Sequence, residues 1–563
     1  MKKNFIIGSV NWKSPTEANK KKSNDFFSND FLNITVNRIN KSTNKEDYYL
    51  FDEKNKIYCT VLGYISNLEE IRSFYSLKAI SEIGIVMEFY IQKGLTHFNK
   101  LDGVFMIFLF DQHKKLAYIY QPFHGMSLPI YYFSNNEKFI FSTNLKSILL
   151  LHNERELNTD AARDFLHFHE LIPNKYTLIK NVNKIIPGSF LVVDQKNRKT
   201  EQKRIDQIFN NISKEYAKNN LINSLKVSFN NTLKLFFREN YAITHTKGWD
   251  TNLLLFFANM ISKDTIQTVT INGGEKVNEV PYVKEIQKNY PDIRSIVGNV
   301  KGDIINQLVD LVWVYEGYLF QEGTFLRHEL SKILNKENIK FVILGACGDQ
   351  ILFPPQGLRK IIKDYPNIRY FLEFIIRRHV TKEQILRKRI SKTTKHLQFD
   401  MDIDMVLKIH GIMLNNYGIE GIYPYINQNT EHLSRRLGWL NYKKRYYKKK
   451  VKEILPENVI KHLSKSSNVV DTNSYFHLNS ILLNKVLNSE VIGQILTESQ
   501  INKIKREPKE YHMLVLQILY IYLFNELIVS GKYDNSFNKD FLNLTIEDIV
   551  YAEKEKQKFA ITS

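Results

Sequence analysis

Cysteine is nearly absent from this chain. Cys59 and Cys347 are the only two in 563 residues, and they lie far apart. That excludes a disulfide framework and any zinc pattern of paired cysteines, and it suits a reducing, cytoplasmic compartment. No secretory signal is expected at this N-terminus either. Met1-Lys2-Lys3-Asn4-Phe5-Ile6-Ile7-Gly8 has two lysines but too short an apolar run, and Asn11 and Lys13 interrupt any continuation of it. No stretch reads as a membrane span. The best candidate, Tyr511 to Val529, carries Gln517, Asn525 and Glu526, so a buried helix is expected there. Low-complexity tracts and internal repeats are absent too. Acidic residues are in short supply, with 59 Asp+Glu against 79 Lys+Arg and a net charge of +20. The excess favours acidic partners, such as nucleotides, acidic peptides, nucleic acid or anionic membrane, without choosing among them.

What remains is a globular composition with length for two or three domains. Residues 1–205 read as β-rich. Leu101–Phe110 is a mostly apolar strand, Asp111–Lys115 a hairpin turn and Leu116–Tyr120 its partner. Strands are expected at Ile130–Phe133, Phe139–Ser142 and after Pro187-Gly188, with helices at Asn144–Leu151 and Thr159–Leu171. A charged stretch, Asp194 to Asp206, separates this half from residues 206–563. There helical patterns alternate with short apolar runs at Tyr241–Thr244, Thr265–Ile271 and Phe341–Leu344. Such alternation predicts a parallel α/β sheet, whose ligands sit at the carboxyl ends of its strands.

The chemistry concentrates at two of those ends. After the first run comes Thr246-Lys247-Gly248-Trp249-Asp250-Thr251, which opens a helix. Hydroxyls and backbone N–H groups at a helix start form an anion site. Asp250 is out of place in a loop that binds only phosphate, but it fits one where Mg2+ bridges carboxylate and phosphates. The bland alternative is a helix N-cap. After the third run, Gly345-Ala346-Cys347-Gly348-Asp349-Gln350 repeats the plan of strand, glycine turn and acid. Asp250 and Asp349 could share one Mg2+.

These motifs, with Leu455 to Lys465 and Ile422 to Asn427 downstream, resemble those of the asparagine synthetase family nearly end to end. The family's L-x-G-x-F strand matches Leu101 to Phe105. Its G-x-x-P-L-Y-Y turn matches Gly125 to Tyr132 with one extra residue, and its proline-glycine entry matches Pro187-Gly188. The S-G-G-x-D-S loop falls on Thr246 to Thr251 and the S-G-x-G-x-D-E turn on Leu344 to Gln350. The resemblance implies an N-terminal-nucleophile-type β-rich sandwich over 1–205. Over 206–563 it implies an adenine-nucleotide α-hydrolase-like ATP-pyrophosphatase domain with extra helices. It implies ATP and Mg2+ as cofactors, adenylation of a carboxylate, and capture by an amine. Asp250 and Asp349 would hold the metal. Thr246, Gly248 and Thr251 would cradle phosphates, with Lys247 in the same loop. Gly345 would lie near adenosine and Glu279 would start the helix after the second strand. Lys465 and Asp349 would take the catalytic roles, Lys465 by neutralising charge on the acyl-adenylate and leaving pyrophosphate.

Departures from the family bear on the substrate. Glutamine-hydrolysing members use a cysteine at the mature N-terminus, where this chain has Lys2. Their N-G-x-I-x-N segment reads Leu62-Gly63-Tyr64-Ile65-Ser66-Asn67, without its first Asn. A silent glutaminase domain is therefore expected, as in lasso-peptide macrocyclases and β-lactam synthetases, which close a ring with an amine already in the substrate. Lys247 replaces a loop glycine, Ala346 a glutamate or tyrosine, Gln350 an acid and His462 an arginine. The expected partner is a peptide or small carboxylate substrate. Leader-binding and protease partners and a homodimer are further expectations, and nucleic acid is not expected. The resemblance favours macrocyclisation of a ribosomal peptide, as in lasso-peptide cyclases; the alternatives are an ammonia-dependent or β-lactam-type synthetase acting on a small carboxylate, and a pseudoenzyme that binds a partner. Cys347 reads as a small buried residue rather than a nucleophile. Lys443 to Lys450 reads as a solvated helix face, with Leu440, Tyr447 and Val451 on its buried side.

Overall fold

The apolar run that predicts a strand before Asp111 is unusually continuous, and the structure gives the reason. In this computed structural model Gly103–Asp111 is buried at every position. It lies in the middle of one sheet and is covered on both faces. The structure describes residues 3–11, 26–28, 32–39, 47–152, 154–168, 175–204, 212–236, 239–262, 264–274, 278–290, 292–300, 304–352, 401–437, 440–464 and 479–551.

Two six-stranded antiparallel sheets are built from the first 204 residues. One contains β1 (Phe5–Asn11), β2 (Phe26–Ser28), β3 (Leu32–Asn37), β8 (Tyr131–Ser134), β9 (Lys138–Ser142) and β10 (Asn183–Lys184) in the order β10-β8-β9-β1-β3-β2. The other contains β4 (Leu50–Asp52), β5 (Ile57–Ile65), β6 (Gly103–Asp111), β7 (Leu116–Gln121), β11 (Ser189–Asp194) and β12 (Lys199–Arg204) in the order β12-β11-β7-β6-β5-β4. Phe108 of β6 stacks on Phe141 of β9, ring centroids 4.8 Å apart, so the sheets face each other. The alternate residues Phe105, Ile107 and Leu109 point the other way. They pack with Ile83, Val86 and Phe89 of the Glu82–Lys93 helix. The hairpin, the Phe139–Ser142 strand and the Leu145–Leu151 helix form where the pattern predicts them. The charged stretch after Asp194 is no mere separator. Lys199–Arg204 pairs with β11 as an edge strand, its charges exposed, as edges require.

The third sheet is parallel and five-stranded: β13 (Tyr241–Thr244), β14 (Ile266–Asn272), β15 (Ile293–Asn299), β16 (Phe341–Ile343) and β17 (Glu420–Ile422), ordered β15-β14-β13-β16-β17. The chain runs outward from β13 to β15, then returns to the other side of β13 with β16. The switch point therefore lies between β13 and β16, which is where open parallel sheets bind ligands.

The two halves pack directly. Tyr423 N–H donates to the Tyr64 hydroxyl (2.8 Å), and the Lys408 ammonium donates to the Met126 carbonyl (2.9 Å). His512–Val529 has the length and apolarity of a membrane-crossing helix, with a mean hydropathy of 1.6, but 78% of it is buried inside the protein. Tyr520 stacks on Phe165, and its hydroxyl takes the Gly317 N–H. It is a core helix.

Candidate functional site

β13 ends at Thr244, and the helix Trp249–Ile261 begins five residues later. The loop between them is held by its own side chains. Thr246 N–H donates to Thr251 Oγ1 (3.3 Å), Gly248 N–H to Thr246 Oγ1 (3.1 Å), and Lys247 N–H to Glu279 Oε2 (3.1 Å). Asn252 is the staple. Its amide donates to the Thr246 and Gly248 carbonyls (2.9 and 2.7 Å), and its Oδ1 faces His245 Nε2 at 3.0 Å. Gln287 donates to the other nitrogen of His245 (3.1 Å), which fixes the neutral tautomer with the proton on Nε2. Burial drives the His245 pKa down to about 4, so the ring stays neutral at pH 7.

A cavity of about 650 Å3 opens at the switch point, large enough for a nucleotide. It gathers residues predicted from distant parts of the chain. Thr246, Gly248, Asp250, Thr251, Glu279, Gly345, Ala346 and Asp349 all line it. Gly345 is glycine because a Cβ there would lie 2.6 Å from Thr251 Cγ2 and 3.1 Å from Thr251 N. A Cβ on Gly348 would lie 2.7 Å from Asp250 Cγ. The two strand-end turns therefore touch backbone to backbone, and this contact brings Asp250 and Asp349 to one opening. Asp349 is exposed.

Asp250 is anchored from the far side. Tyr447 donates to Asp250 Oδ1 (3.1 Å) and Tyr425 to its carbonyl (2.9 Å). Burial first, then the neighbouring Tyr425 and Asp250, holds the Tyr447 phenol well above its usual range, so it remains a donor. Tyr425 belongs to the Ile422–Asn427 segment that the motif singled out. Tyr447 and Val451 are the buried side of the basic helix Leu440–Lys452, as the spacing predicts. Tyr447's contact with Asp250 was not legible there. Lys448 from the same run lines the cavity, its ammonium 5.2 Å from the Trp249 ring centroid. Among eight residues rich in lysine, nothing in the sequence marked it.

Lys247 does not block the loop. Its ammonium sits over the Tyr282 ring at 5.1 Å, and the residue is outside the cavity lining. Ser464 N–H donates to the Lys247 carbonyl (3.1 Å), so the Leu455–Ser464 segment docks on the loop. Lys465, the next residue, and the side chain of Gln350 lie outside the described residues. Cys347 is buried with φ 69°, and burial pushes its thiol up, as for a packing residue. Asn252, His245, Arg327 and His410 also line or brace the cavity. They carried no motif signal.

The antiparallel half uses similar residue types differently. Asn67, from the degenerate glutamine-holding segment, accepts the Asp102 N–H (2.8 Å). Asp102 then accepts from Asn427 Nδ2 and Gln428 N–H (both 3.0 Å), clasping the other half of the molecule. Burial raises its pKa to about 7. Cys59 is fully buried in the layer between sheet and helix.

Residues 39–204 match the glutamine amidotransferase domain family. The putative asparagine synthetase (glutamine-hydrolyzing) 2 of Methanocaldococcus jannaschii is 22% identical over 298 residues, 51% of this chain and 57% of that protein. Asparagine synthetase (glutamine-hydrolyzing) 1 of Bacillus subtilis is 19% identical over 297 residues, 52% of this chain and 46% of that protein. The chain thus spans about half the length of the curated relatives it matches. Among solved structures, the allosteric regulatory enzyme of purine biosynthesis aligns at a TM-score of 0.25 and 6% identity, over 52% of this chain and 75% of that one. The chain thus carries an amidotransferase-type N-terminal region and is similar to asparagine synthetases over about half its length.

Proposed function

We propose that this protein is an ATP-dependent carbon–nitrogen ligase that adenylates a carboxylate and passes it to an amine. One observation carries the reading: the acids that start the helices after β13 and β16, Asp250 and Asp349, line one nucleotide-sized cavity beside a hydroxyl-rich loop. Two carboxylates suit Mg2+, which takes one or two of them, keeps several waters and binds phosphates with the rest. Among the described residues no group of three His, Cys, Asp or Glu gathers to hold another metal. Asp250 and Asp349 would hold the ion, which when bound supplies positive charge for the pyrophosphate.

The chain's own groups supply the rest. Thr246, Thr251 and the Gly248 N–H bind phosphate oxygens once they release their contacts with one another. Glu279 must likewise yield the Lys247 N–H. Tyr447 and Tyr425 hold Asp250 in place throughout. The substrate carboxylate bonds to the α-phosphorus as the bond to pyrophosphate breaks. The amine nitrogen then bonds to the acyl carbon, AMP leaves, and the nitrogen loses a proton. Lys465 and Lys448 are the cations assigned to the leaving groups.

Both cysteines are buried, which supports an amine that does not come from glutamine hydrolysis at a thiol of this chain. A peptide whose Asp or Glu side chain is captured by its own amine, in lasso-type ring closure in the cytoplasm, fits that supply. The test is ATP–pyrophosphate exchange with Mg2+ and the full chain. Exchange stimulated by an acidic peptide supports ring closure. Exchange stimulated by aspartate with free ammonia supports a small-acid synthetase. If MgATP fails to bind, the ligase reading is wrong and the cavity serves another purpose.

A further inference from the structure

The basic helix Leu440–Lys452 carries more charge than the proposed chemistry uses. It is pinned on two sides. Tyr447 reaches Asp250, Val451 is buried, and the Tyr446 hydroxyl donates to the Lys218 carbonyl (2.8 Å). Its solvent side holds Arg445, Lys448, Lys449 and Lys452. Their i, i+3, i+4, i+7 spacing places them on one stripe about 100° wide. Lys448 lines the cavity. Arg445, Lys449 and Lys452 are exposed and lie outside it.

The stripe is bare of acids. Lysines on other surface helices bring their own partners. Lys218 pairs with Glu215, Lys288 with Glu285 and Lys332 with Glu329, each three residues away. Lys450, on the other flank of the basic helix, pairs with Glu453 (2.7 Å). Among the described residues, none of the four stripe cations pairs with a carboxylate. Like charges three and four residues apart repel and weaken a helix. The helix dipole offsets this for Lys449 and Lys452, in the last turn. It does nothing for Arg445 and Lys448.

Geometry selects the anion that relieves the repulsion. From Arg445 to Lys452 the stripe runs roughly 10 Å. An extended peptide covers that length in about three residues, with alternate side chains on one face. Acids at alternate positions therefore meet the stripe. A polynucleotide also offers negative charge, but it brings no carboxylate to the cavity that the stripe adjoins. A peptide brings both, with Lys448 at the junction.

We infer that Arg445, Lys448, Lys449 and Lys452 form a docking track for an acidic run of a peptide substrate, outside the cavity and apart from the carboxylate that reacts. This rests on the ligase reading and deepens it. The substrate is a peptide, and its acidic run holds it on the helix while another residue enters the cavity.

The experiment measures binding of fluorescein-labelled peptides to the full chain by anisotropy, at low and at physiological salt, with and without a non-hydrolysable MgATP analogue. A probe of four Gly-Glu repeats is set against four Gly-Gln repeats, and an oligothymidine with four phosphates is the third arm. At low salt the glutamate probe should bind about tenfold tighter than the glutamine probe, the scale of two exposed ion pairs, and salt should erode that margin. The triple variant Arg445→Gln, Lys449→Gln, Lys452→Gln should cut the margin to about twofold and leave affinity for the analogue within about twofold. Arg445→Glu with Lys449→Glu should turn the preference toward a probe of Gly-Lys repeats, a gain that a misfolded variant would not show. Equal binding of the glutamate and glutamine probes overturns the inference, as does a triple variant that keeps the margin. An oligothymidine that binds tighter than the glutamate probe and loses its hold in the triple variant also overturns it, since the surface would then read nucleic acid. Failure of the ligase reading shows separately, as no analogue binding by the unmodified protein, and the probe arms without nucleotide still decide the track.

Discussion

The two halves of the molecule handle acids in opposite ways. Asp102, in the antiparallel half, is buried and spends both oxygens on the Asn427 side chain and the Gln428 backbone. Asp250 and Asp349, in the parallel half, lie in the first turns of the helices that follow β13 and β16 and border an open cavity. The thiols fare no better than Asp102. Cys59 and Cys347 are both buried with raised pKa values, the latter packed behind the glycine turn. The comparison teaches that residue type alone does not mark a site. A group is available for chemistry when the backbone delivers it to a strand end with space beyond it, and the antiparallel half closes such spaces with side chains of the other half.

The contrast breaks most sharply at Asp250. Asp250→Ala should lower ATP–pyrophosphate exchange by about 100-fold or more, in line with the loss of one preorganised charge partner. Its melting temperature should hold, since Tyr425 keeps its backbone contact. Unchanged exchange would remove the parallel half from the chemistry.

Asp102 should do the reverse. Its pKa in the folded state, about 7, lies above its ordinary 3.8 because of burial. The folded state therefore holds the proton more tightly. Stability from this group is full below pH 4, declines as pH rises to about 7, and is flat beyond, a total of roughly 4 kcal/mol. Denaturant midpoints of Asp102→Asn should not follow that decline, and its exchange rate should match the parent protein. A pH-independent difference between the two would show that Asp102 is ionised throughout.

Gly348→Ala tests the contact between the two turns. The new methyl group would press on Asp250, so a stability loss of about 1–2 kcal/mol and a fall in exchange of roughly tenfold are expected. A neutral result would show that the turns can separate. Cys59→Ala sits at the small end. It should cost about 1 kcal/mol for the lost volume and leave exchange untouched; any loss of turnover would give the antiparallel half a chemical role.

The parts that were legible in sequence share a physical cause. β13, β14 and β16 are short apolar runs because the sheet covers them on both faces, so composition alone betrays them. β15 escaped notice because it is an edge: Arg294, Ser295, Val297 and Asn299 are exposed and dilute the pattern. β17 is three residues long, and its neighbours drew attention as a motif instead. Asp250 and Asp349 could be read because each follows a glycine turn within a few residues of its strand. Arg327 and His410 could not. They sit mid-helix, 83 positions apart, and only the packing of the Gly323–Lys336 and Met401–Asn416 helices brings them together. Tyr447 was placed correctly on the buried side of its helix, yet burial says nothing about which carboxylate a phenol will meet.

The hydrogen bond from Ser464 to the Lys247 carbonyl has a consequence in time. The two residues are 464 − 247 = 217 positions apart. At translation rates of about 5–20 residues per second, the loop leaves the ribosome roughly 10–45 s before the segment that closes over it. For the first part of that interval β13 also lacks its neighbour β16, and β17 beyond it emerges later still. The growing chain therefore carries this loop unfinished, and the cavity beside it matures late in synthesis. The pocket that the proposed ligase would use for ATP is complete only after most of the polypeptide has emerged.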